Sequence, residues 1–282
     1  MPSTTTLLIT GCSSGIGYHA AHYFYQQGYK VIATCRKPAD VERLQQEGLT
    51  AFQLDLADDR QMEEQVRQIL AACGNRVDVL FNNAAFGLPG AVEDLSRDAL
   101  KYQFETNVFG TQHLTNLILP VMRQQGHGKI IYNSSILGFA AMAYRGAYNA
   151  SKFAIEGLAD TLRLELHGTA IKVILIEPGP IHSQFRHNAY QQFQKWIDAE
   201  HSVHRDSYQA MIERLSAEEG KAPFTLGPEA VTQAVEHAIT HTPAKLRYHI
   251  TFPTKLFAFL KRWLPSRWLD NLLLKAGGNG KR

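Results

Sequence analysis

A glycine-rich segment at residues 10–17, TGCSSGIG, restricts the folds open to this chain more than any other feature of its sequence. It follows a short apolar run and precedes a long amphipathic stretch, so it is predicted to join a buried strand to a helix. Gly11 allows a tight turn, Gly15 lets the backbone approach a phosphate group, and Gly17 lets the helix pack closely on the strand. Because a helix N-terminus has free N–H groups, the segment predicts a site for the phosphates of a nucleotide.

Short apolar runs alternate with longer amphipathic stretches along most of the chain. The predicted strands are Thr6–Thr10, Lys30–Thr34, Ala51–Leu54, Val77–Phe81, Lys129–Asn133, Lys172–Ile176 and Leu246–Thr251. The main predicted helices are Tyr18–Gln27, Ala39–Glu47, Thr106–Gln125, Ser151–His167 and Pro228–Thr240. This order is typical of right-handed βαβ units. We therefore predict an α/β fold with a Rossmann-type doubly wound parallel sheet, forming a single domain over residues 1–252.

One long segment, Gln184–Gly220, interrupts the alternation. It is polar and contains scattered aromatic residues, unlike the strands and helices around it. In doubly wound folds ligands bind at the carboxyl edge of the sheet, and this segment directly follows a predicted strand. We predict that it is an insertion that forms a lid over the substrate.

The charge of the chain is close to balanced, with 29 Lys and Arg against 26 Asp and Glu and a net charge of +3. That excess is too small to indicate a nucleic-acid partner. The charge is concentrated in a basic, amphipathic tail at residues 253–282, where Pro265 is expected to kink or split a helix. Two interpretations of the tail stay open: a helix packed on the core or on a second subunit, and an interfacial helix on anionic lipid.

Cysteine content and the ends of the chain indicate a cytoplasmic protein. Cys12, Cys35 and Cys73 are the only cysteines, too few and odd in number for a disulfide framework. We see no signal peptide and no apolar run of about 18 residues.

His237 and His241 have the i, i+4 spacing of a zinc pair but lack further ligands, so we predict no metal site.

The residues after the second predicted strand bear on the choice of nucleotide. NAD-binding proteins of this fold usually have an acidic residue there, which binds the ribose 2′-hydroxyl. Here the strand end reads ATCRK, without a carboxylate. Arg36 can bind a 2′-phosphate through its planar guanidinium, and Ser13 adds a hydroxyl. The pattern favours NADP(H), with Asp55 after the third strand placed to reach the adenine.

A tyrosine and a lysine, Tyr148 and Lys152, are four residues apart and therefore adjacent on one helix face. A tyrosine with a pKa near 10 is a poor base at neutral pH, but a neighbouring ammonium favours the phenolate and lowers that pKa. The pair is thus a candidate proton donor or acceptor.

Together these motifs resemble the short-chain dehydrogenase/reductase family. Ser135 precedes Tyr148 by 13 residues, the usual spacing in that family, and Asn107 matches its helix asparagine. Residues 82–85, NNAA, match its NNAG motif except at Ala85, and residues 178–181, PGPI, match the motif after the sixth strand. Within the family the chain looks closest to bacterial NADP-dependent aldehyde reductases and to the branch of 17β-hydroxysteroid and retinol dehydrogenases.

The resemblance implies roles for these residues. Tyr148 would protonate the substrate oxygen as hydride arrives from the nicotinamide, and Ser135 would hydrogen-bond the developing oxyanion. Lys152 would hold the nicotinamide ribose and lower the tyrosine pKa, and Asn107 would hold a water in the proton relay. The predicted cofactor-binding residues are Gly11, Ser13, Ser14, Gly15, Ile16, Gly17, Arg36, Asp55, Asn83, Ala84, Tyr148, Lys152, Pro178, Gly179 and Ile181.

Aromatic and aliphatic residues at the predicted mouth of the site indicate an apolar substrate. The predicted pocket residues are Phe86, Leu137, Met142, Tyr144 and Phe185. We predict an NADPH-dependent reductase of apolar aldehydes or ketones, and the resemblance implies a homo-oligomer. The alternatives are a steroid or retinol dehydrogenase working in the oxidative direction and a non-catalytic NADP(H)-binding sensor.

Overall fold

A seven-stranded sheet forms the centre of the computed structural model, which describes residues 5–216 and 223–278. Its strands are β1 (Thr6–Ile9), β2 (Lys30–Cys35), β3 (Thr50–Gln53), β4 (Val79–Asn82), β5 (Gly128–Asn133), β6 (Ile171–Glu177) and β7 (Arg247–His249). Their order is β3-β2-β1-β4-β5-β6-β7, and every pairing is parallel. This confirms the predicted doubly wound α/β fold.

Eleven α-helices lie within the described residues. They are α1 (Gly15–Gln26), α2 (Pro38–Gln46), α3 (Asp59–Ala72), α4 (Arg97–Phe104), α5 (Thr111–Gln125), α6 (Gly146–Glu165), α7 (Phe185–Trp196), α8 (Arg205–Ser216), α9 (Glu229–Thr240), α10 (Phe252–Trp263) and α11 (Ser266–Ala276). A π-helical turn, Glu105–Gly110, joins α4 to α5. No helix in this part of the chain is both long and apolar enough to span a bilayer.

Helices cover both faces of the sheet, and successive strand residues point to opposite faces. Leu8 and Leu80 belong to the apolar cluster that α3, α5 and α6 complete. Ile9 and Phe81 belong to the cluster on the other face, which α1, α2 and α9 complete. Burial on both sides explains why these strands are continuous apolar runs rather than alternating ones.

Several elements differ from the prediction at their ends. Helix α1 begins at Gly15 instead of Tyr18, because the last three residues of the glycine-rich segment already belong to the first turn of the helix. Helix α6 begins at Gly146 rather than Ser151, which places Tyr148 on the same helix as Lys152. Strand β7 has three residues, because its pairing with β6 stops at His249.

The predicted lid and tail each contain two helices. Helices α7 and α8 occupy most of the lid segment, whose last residues, 217–220, lie outside the described part of the chain. Helices α10 and α11 form the tail, and the expected break occurs at Pro265, which directly precedes α11. Residues 279–282 of the tail also lie outside the described residues.

Candidate active site

The glycine loop between β1 and α1 has a backbone that only glycine accommodates easily. Gly11 and Gly15 have φ values of +72° and +57°, in the left-handed region that disfavours side chains. A Cβ on Gly17 would lie 2.3 Å from the carbonyl oxygen of Gly11. The loop therefore brings backbone N–H groups and the first turn of α1 to one point, a geometry that fits a pyrophosphate.

A clamp from the end of β4 fixes this loop. The Thr10 hydroxyl oxygen accepts hydrogen bonds from the backbone N–H groups of Asn83 and Ala84, both at 2.9 Å. The Asn83 amide in turn donates to the carbonyl of Thr10 at 2.8 Å and accepts from the Asn133 amide at 2.9 Å. Asn83, which the sequence placed at the cofactor ribose, has its side chain engaged in bracing the loop.

A cleft of about 420 Å³ lies against the loop, lined by Ser13, Ser14, Gly15, Tyr18, Arg43, His182, Ser183 and Gln184. No sequence motif pointed to Arg43. Its guanidinium donates to the Ser13 carbonyl at 2.7 Å and lies 5.2 Å from the centre of the Tyr18 ring. Asp40 and Glu47 flank the same guanidinium and partly neutralise it.

The predicted nucleotide-selecting residues lie at neighbouring strand ends. Arg36 follows β2 and is exposed, and the described residues give its side chain no ion-pair partner. Asp55 follows β3, and its carboxylate accepts a hydrogen bond from the N–H of Ala57 at 3.0 Å. The N–H of Leu54 bonds to the carbonyl of Cys35 at 2.9 Å and holds the two strand ends together. The Arg36 side chain is thus open to solvent, and its contact with a 2′-phosphate stays a prediction.

The segment after β6 forms the far side of the site. The Pro178 carbonyl accepts a hydrogen bond from Ile136 at 2.8 Å, and a Cβ on Gly179 would lie 2.1 Å from the Thr251 hydroxyl oxygen. Ile181 pairs with Leu226 in an isolated bridge. The chain is therefore held close to the loop, where a Cβ on Gly15 would lie 3.0 Å from the Cβ of Ser183.

Tyr148, Lys152 and Ser135 come together at the carboxyl end of β5. Ser135 lies two residues after the end of that strand at Asn133 and hydrogen-bonds the Tyr148 hydroxyl. Lys152 is buried, with Nζ 5.6 Å from the centre of the Tyr148 ring and 2.7 Å from the carbonyl oxygen of Asn133, to which it donates. The three side chains predicted to carry the chemistry form one constellation.

Asn107 joins this constellation from the π-helical turn. Its amide donates to the Phe86 carbonyl at 2.9 Å and to the Ser151 hydroxyl at 3.1 Å, and its oxygen accepts from the Phe86 N–H. Ser151 donates to the carbonyl of Tyr148 at 2.8 Å. Asn107 therefore links α6 to the segment that follows β4. A water between Asn107 and Lys152 stays a prediction.

Burial dominates the titration of the pair. Burial raises the pKa of Tyr148 to about 12, and the hydrogen bond from Ser135 and the charge of Arg145 offset this only in part. Burial also lowers the pKa of Lys152 to about 8. In this structure desolvation outweighs the groups that lower the pKa of Tyr148, and the lowering by Lys152 stays a prediction. Tyr148 therefore keeps its proton at neutral pH.

A cluster of charges around two buried glutamates, which we call the carboxylate cluster, lies one helical turn beyond Lys152. It consists of Glu156, Asp160 and Glu177, with Arg247 and His249 from β7. The Arg247 guanidinium contacts all three carboxylates, at 2.5 Å from Glu177 and 2.6 Å from Asp160. Burial, together with the charge of Glu177, raises the pKa of Glu156 to about 7. The sequence showed no sign of this cluster, because β7 is distant from α6 along the chain.

The predicted pocket residues divide into two groups. Leu137 and Met142 pack in the apolar cluster that contains Tyr148, to which α10 and α11 contribute Phe257 and Leu273. The inner side of the tail therefore forms part of the wall around the tyrosine. Phe86 and Tyr144 pack instead against the lid helices. The Tyr144 hydroxyl is bonded to His204 and Ser207, at 3.3 Å and 3.1 Å.

Phe185, the first residue of α7, lies beside the tyrosine. The Phe185 and Tyr148 rings meet edge to face with their centres 5.3 Å apart. A Cβ on Gly87 would come 2.8 Å from the Phe185 ring, so this glycine leaves the room that the aromatic ring needs. Helix α7 thus begins beside Tyr148. Whether the whole segment acts as a lid stays a prediction.

Comparison with known proteins agrees with this geometry. Residues 5–194 match the family model for the short chain dehydrogenases. The chain belongs to the short-chain dehydrogenase/reductase family. This confirms the resemblance noted in the sequence.

Relatives of this short-chain dehydrogenase/reductase include proteins from bacteria and vertebrates. It is 40% identical over 268 residues to the uncharacterized oxidoreductase YbbO of Escherichia coli K12, covering 95% of this chain and 93% of the relative. It is 35% identical over 258 residues to human retinol dehydrogenase 8, covering 86% and 80% of the two chains. The closed form of a serine dehydrogenase complexed with NADP⁺ superposes with a TM-score of 0.72 at 27% identity, covering 89% and 96%.

Proposed function

We propose that this oxidoreductase reduces apolar aldehydes or ketones to alcohols with NADPH. The observation that carries the proposal is the constellation of Ser135, Tyr148 and Lys152, which lies among apolar side chains and has Asn107 bonded to Ser151 on the helix that carries the tyrosine. A non-catalytic sensor would have no need of this complete set. Its presence therefore favours an enzyme.

In this proposal Tyr148 is the general acid. Its raised pKa keeps the hydroxyl protonated at neutral pH, which suits proton donation to a carbonyl oxygen. Ser135 hydrogen-bonds the same oxygen and stabilises the charge that develops there. Lys152 holds the ribose and supplies positive charge behind the tyrosine. Bound NADPH supplies the hydride.

The preference for NADPH rests on Arg36. An exposed guanidinium after β2, with no acidic residue at that strand end, suits a 2′-phosphate better than a free 2′-hydroxyl. Arg43 and Ser13 line the adjoining cleft and add donors. The NADP⁺ complex of the structurally similar serine dehydrogenase is in keeping with this choice.

The apolar substrate rests on the walls around Tyr148. Leu137, Met142 and Phe257 pack near its ring on one side, and Phe185 covers it on another. Such walls favour substrates with alkyl or aromatic bodies.

A second candidate is oxidation of a retinoid or steroid alcohol, favoured by the 35% identity to human retinol dehydrogenase 8. It uses the same residues in reverse, with Tyr148 accepting a proton. We place reduction first because the exposed Arg36, with no acidic residue at the end of β2, favours NADPH as the cofactor.

The test follows NADPH oxidation with straight-chain aldehydes of increasing length, with retinal and with steroid ketones, and the reverse reactions with NADP⁺. Each buried methylene contributes up to about 0.8 kcal/mol, so catalytic efficiency is expected to climb up to about fourfold per carbon until the pocket is full. A flat or falling series, or a preference for short polar aldehydes, would refute the apolar pocket. Faster turnover with retinol and NADP⁺ would favour the second candidate.

Two further expectations accompany the proposal. The family resemblance implies a homo-oligomer, which light scattering of the purified chain would test. The sparse cysteines imply a cytoplasmic location, with the tail as the part that would reach a membrane. Fractionation of cells that express the chain would test the second.

A further inference from the structure

Helix α10 is apolar on two faces, although only one of them packs on the protein. Thr254 and Phe257 are buried, and Phe257 packs in the cluster that contains Tyr148. On the other side, Phe252, Leu256, Phe259 and Trp263 are 58%, 39%, 63% and 70% exposed. Their spacing of i, i+4, i+7 and i+11 aligns them along one side of the helix. We call these four residues the outer stripe.

Aromatic exposure continues around the outer stripe. The rings of Phe224 and Phe252 lie 5.3 Å apart, and both side chains are more than half exposed. Trp268, on α11, is 66% exposed. Exposed residues of this size in a row usually mark a contact surface.

The charges beside the outer stripe are positive. Lys255 and Arg262 are exposed on α10, on the helix flank next to the stripe, and Arg267 and Lys275 are exposed on α11. Asp270 is the only acidic residue of the two helices. Cations that alternate with tryptophan and phenylalanine are the composition of helices that lie in a lipid interface.

The positive charge also indicates whether a second copy of the chain or a lipid layer covers the outer stripe. In a twofold contact between two copies, the stripe of one chain would face the same cations of the other, and like charges would repel across the contact. An anionic lipid headgroup layer instead supplies both the opposite charge and an apolar layer for the rings.

We propose that the outer stripe docks α10 on the surface of an anionic bilayer, with the helix lying in the plane of the interface. The inner side of the same helix packs in the cluster around Tyr148, so docking would hold the substrate pocket near the lipid. That consequence, the supply of apolar substrate from the membrane, rests on the proposed function. The docking itself does not.

The test is flotation of the full-length chain with vesicles. One set contains phosphatidylcholine alone, and the other is an equimolar mixture with phosphatidylglycerol. We expect binding to the second set only, weakened by added salt. Each cation near an anionic leaflet contributes about fivefold, so Lys255→Gln with Arg262→Gln is expected to lower partitioning roughly 30-fold. Phe259→Gln with Trp263→Gln should lower it roughly 100-fold, through the lost apolar burial.

The matched control is Leu164→Gln. Leu164 is 71% exposed on α6, as exposed as Trp263, but it lies outside the tail. This variant should bind vesicles as the parent chain does. Far-ultraviolet circular dichroism and reduction of a short soluble aldehyde would establish that the stripe variants are folded. Because vesicle binding is measured without substrate, its result is independent of the proposed activity.

Other outcomes would overturn the proposal. If the parent chain stays unbound at low salt, the stripe does not dock on lipid. If light scattering shows a dimer that only the stripe variant dissociates, a second copy is the occupant. Equal binding by the stripe variant and the Leu164 control would place any lipid contact elsewhere.

Discussion

Replacing Arg247 with methionine is expected to destabilise the fold strongly, because it removes the one cation that contacts all three carboxylates of the carboxylate cluster. Glu177 is fully buried and Glu156 nearly so. Breaking a buried ion pair by removing one partner costs about 3–5 kcal/mol, since the remaining charge stays desolvated. The Arg247 side chain is 32% exposed, and water screens part of the interaction, so we expect about 3 kcal/mol.

The effect should depend on pH. Burial and the charge of Glu177 raise the pKa of Glu156 to about 7, so the folded chain binds this proton more tightly than the unfolded chain. The stability that this proton supplies is present at low pH and is lost as the pH rises through about 7. In Arg247→Met the unpaired carboxylates take up protons more readily. The difference from the parent chain should therefore shrink between about pH 8 and about pH 5.

Urea unfolding of the two proteins across this pH range measures the difference. The matched control is Arg163→Met, which removes a cation that pairs with Asp160 on the exposed side, at 2.8 Å. It should cost less than about 1 kcal/mol at every pH. If Arg247→Met also stays within about 1 kcal/mol at neutral pH, or if its cost grows on acidification, the carboxylates are not held as charges by Arg247.

Three further predictions concern the site. Tyr148→Phe should lower reductive turnover about 10²–10⁴-fold or more while NADPH still binds, as fluorescence titration would show, and near-normal turnover would contradict the general-acid role. Arg36→Ala should weaken the binding of NADPH by about 1.5–3 kcal/mol and change the binding of NADH little. Arg43→Ala should weaken the binding of NADPH less, because its acidic neighbours partly neutralise Arg43. The Michaelis constants for both cofactors measure these effects, and equal use of NADH by the parent chain would refute the assignment. Because the pKa of Lys152 is about 8, the catalytic efficiency of reduction should fall as the pH rises above 8. A catalytic efficiency that stays constant above this pH would show that turnover does not need the charge of Lys152.

The fold could be predicted from the chain because its signals are local. Each buried strand is a continuous apolar run, and each helix has its own amphipathic pattern, so their order alone implied a parallel sheet. The glycines of the loop were equally informative, since the positive φ values of Gly11 and Gly15 restrict those positions whatever surrounds them. Helix starts were less predictable. Gly146 carries no sequence signal for a helix start, yet α6 begins there.

The site could be predicted only as a set of residues. Motif spacing placed Ser135, Tyr148, Lys152 and Asn107 together because the fold brings the carboxyl ends of its strands to one edge. It did not show that the Asn83 side chain braces the loop, or that Arg43 reaches the cleft from α2. Those contacts join elements whose separation in sequence carries no periodic signal.

The sequence by itself determined the order of strands and helices along the chain, the glycine loop and the chemical groups of the candidate site, because each depends on a few consecutive residues. Only the tertiary structure decided the environment of those groups. The pKa of Tyr148 rises because several neighbouring elements pack around the phenol and desolvate it, a collective effect that no local spacing encodes. In the same way, α10 hides Phe257 and exposes Trp263 because just one side of that helix meets the core.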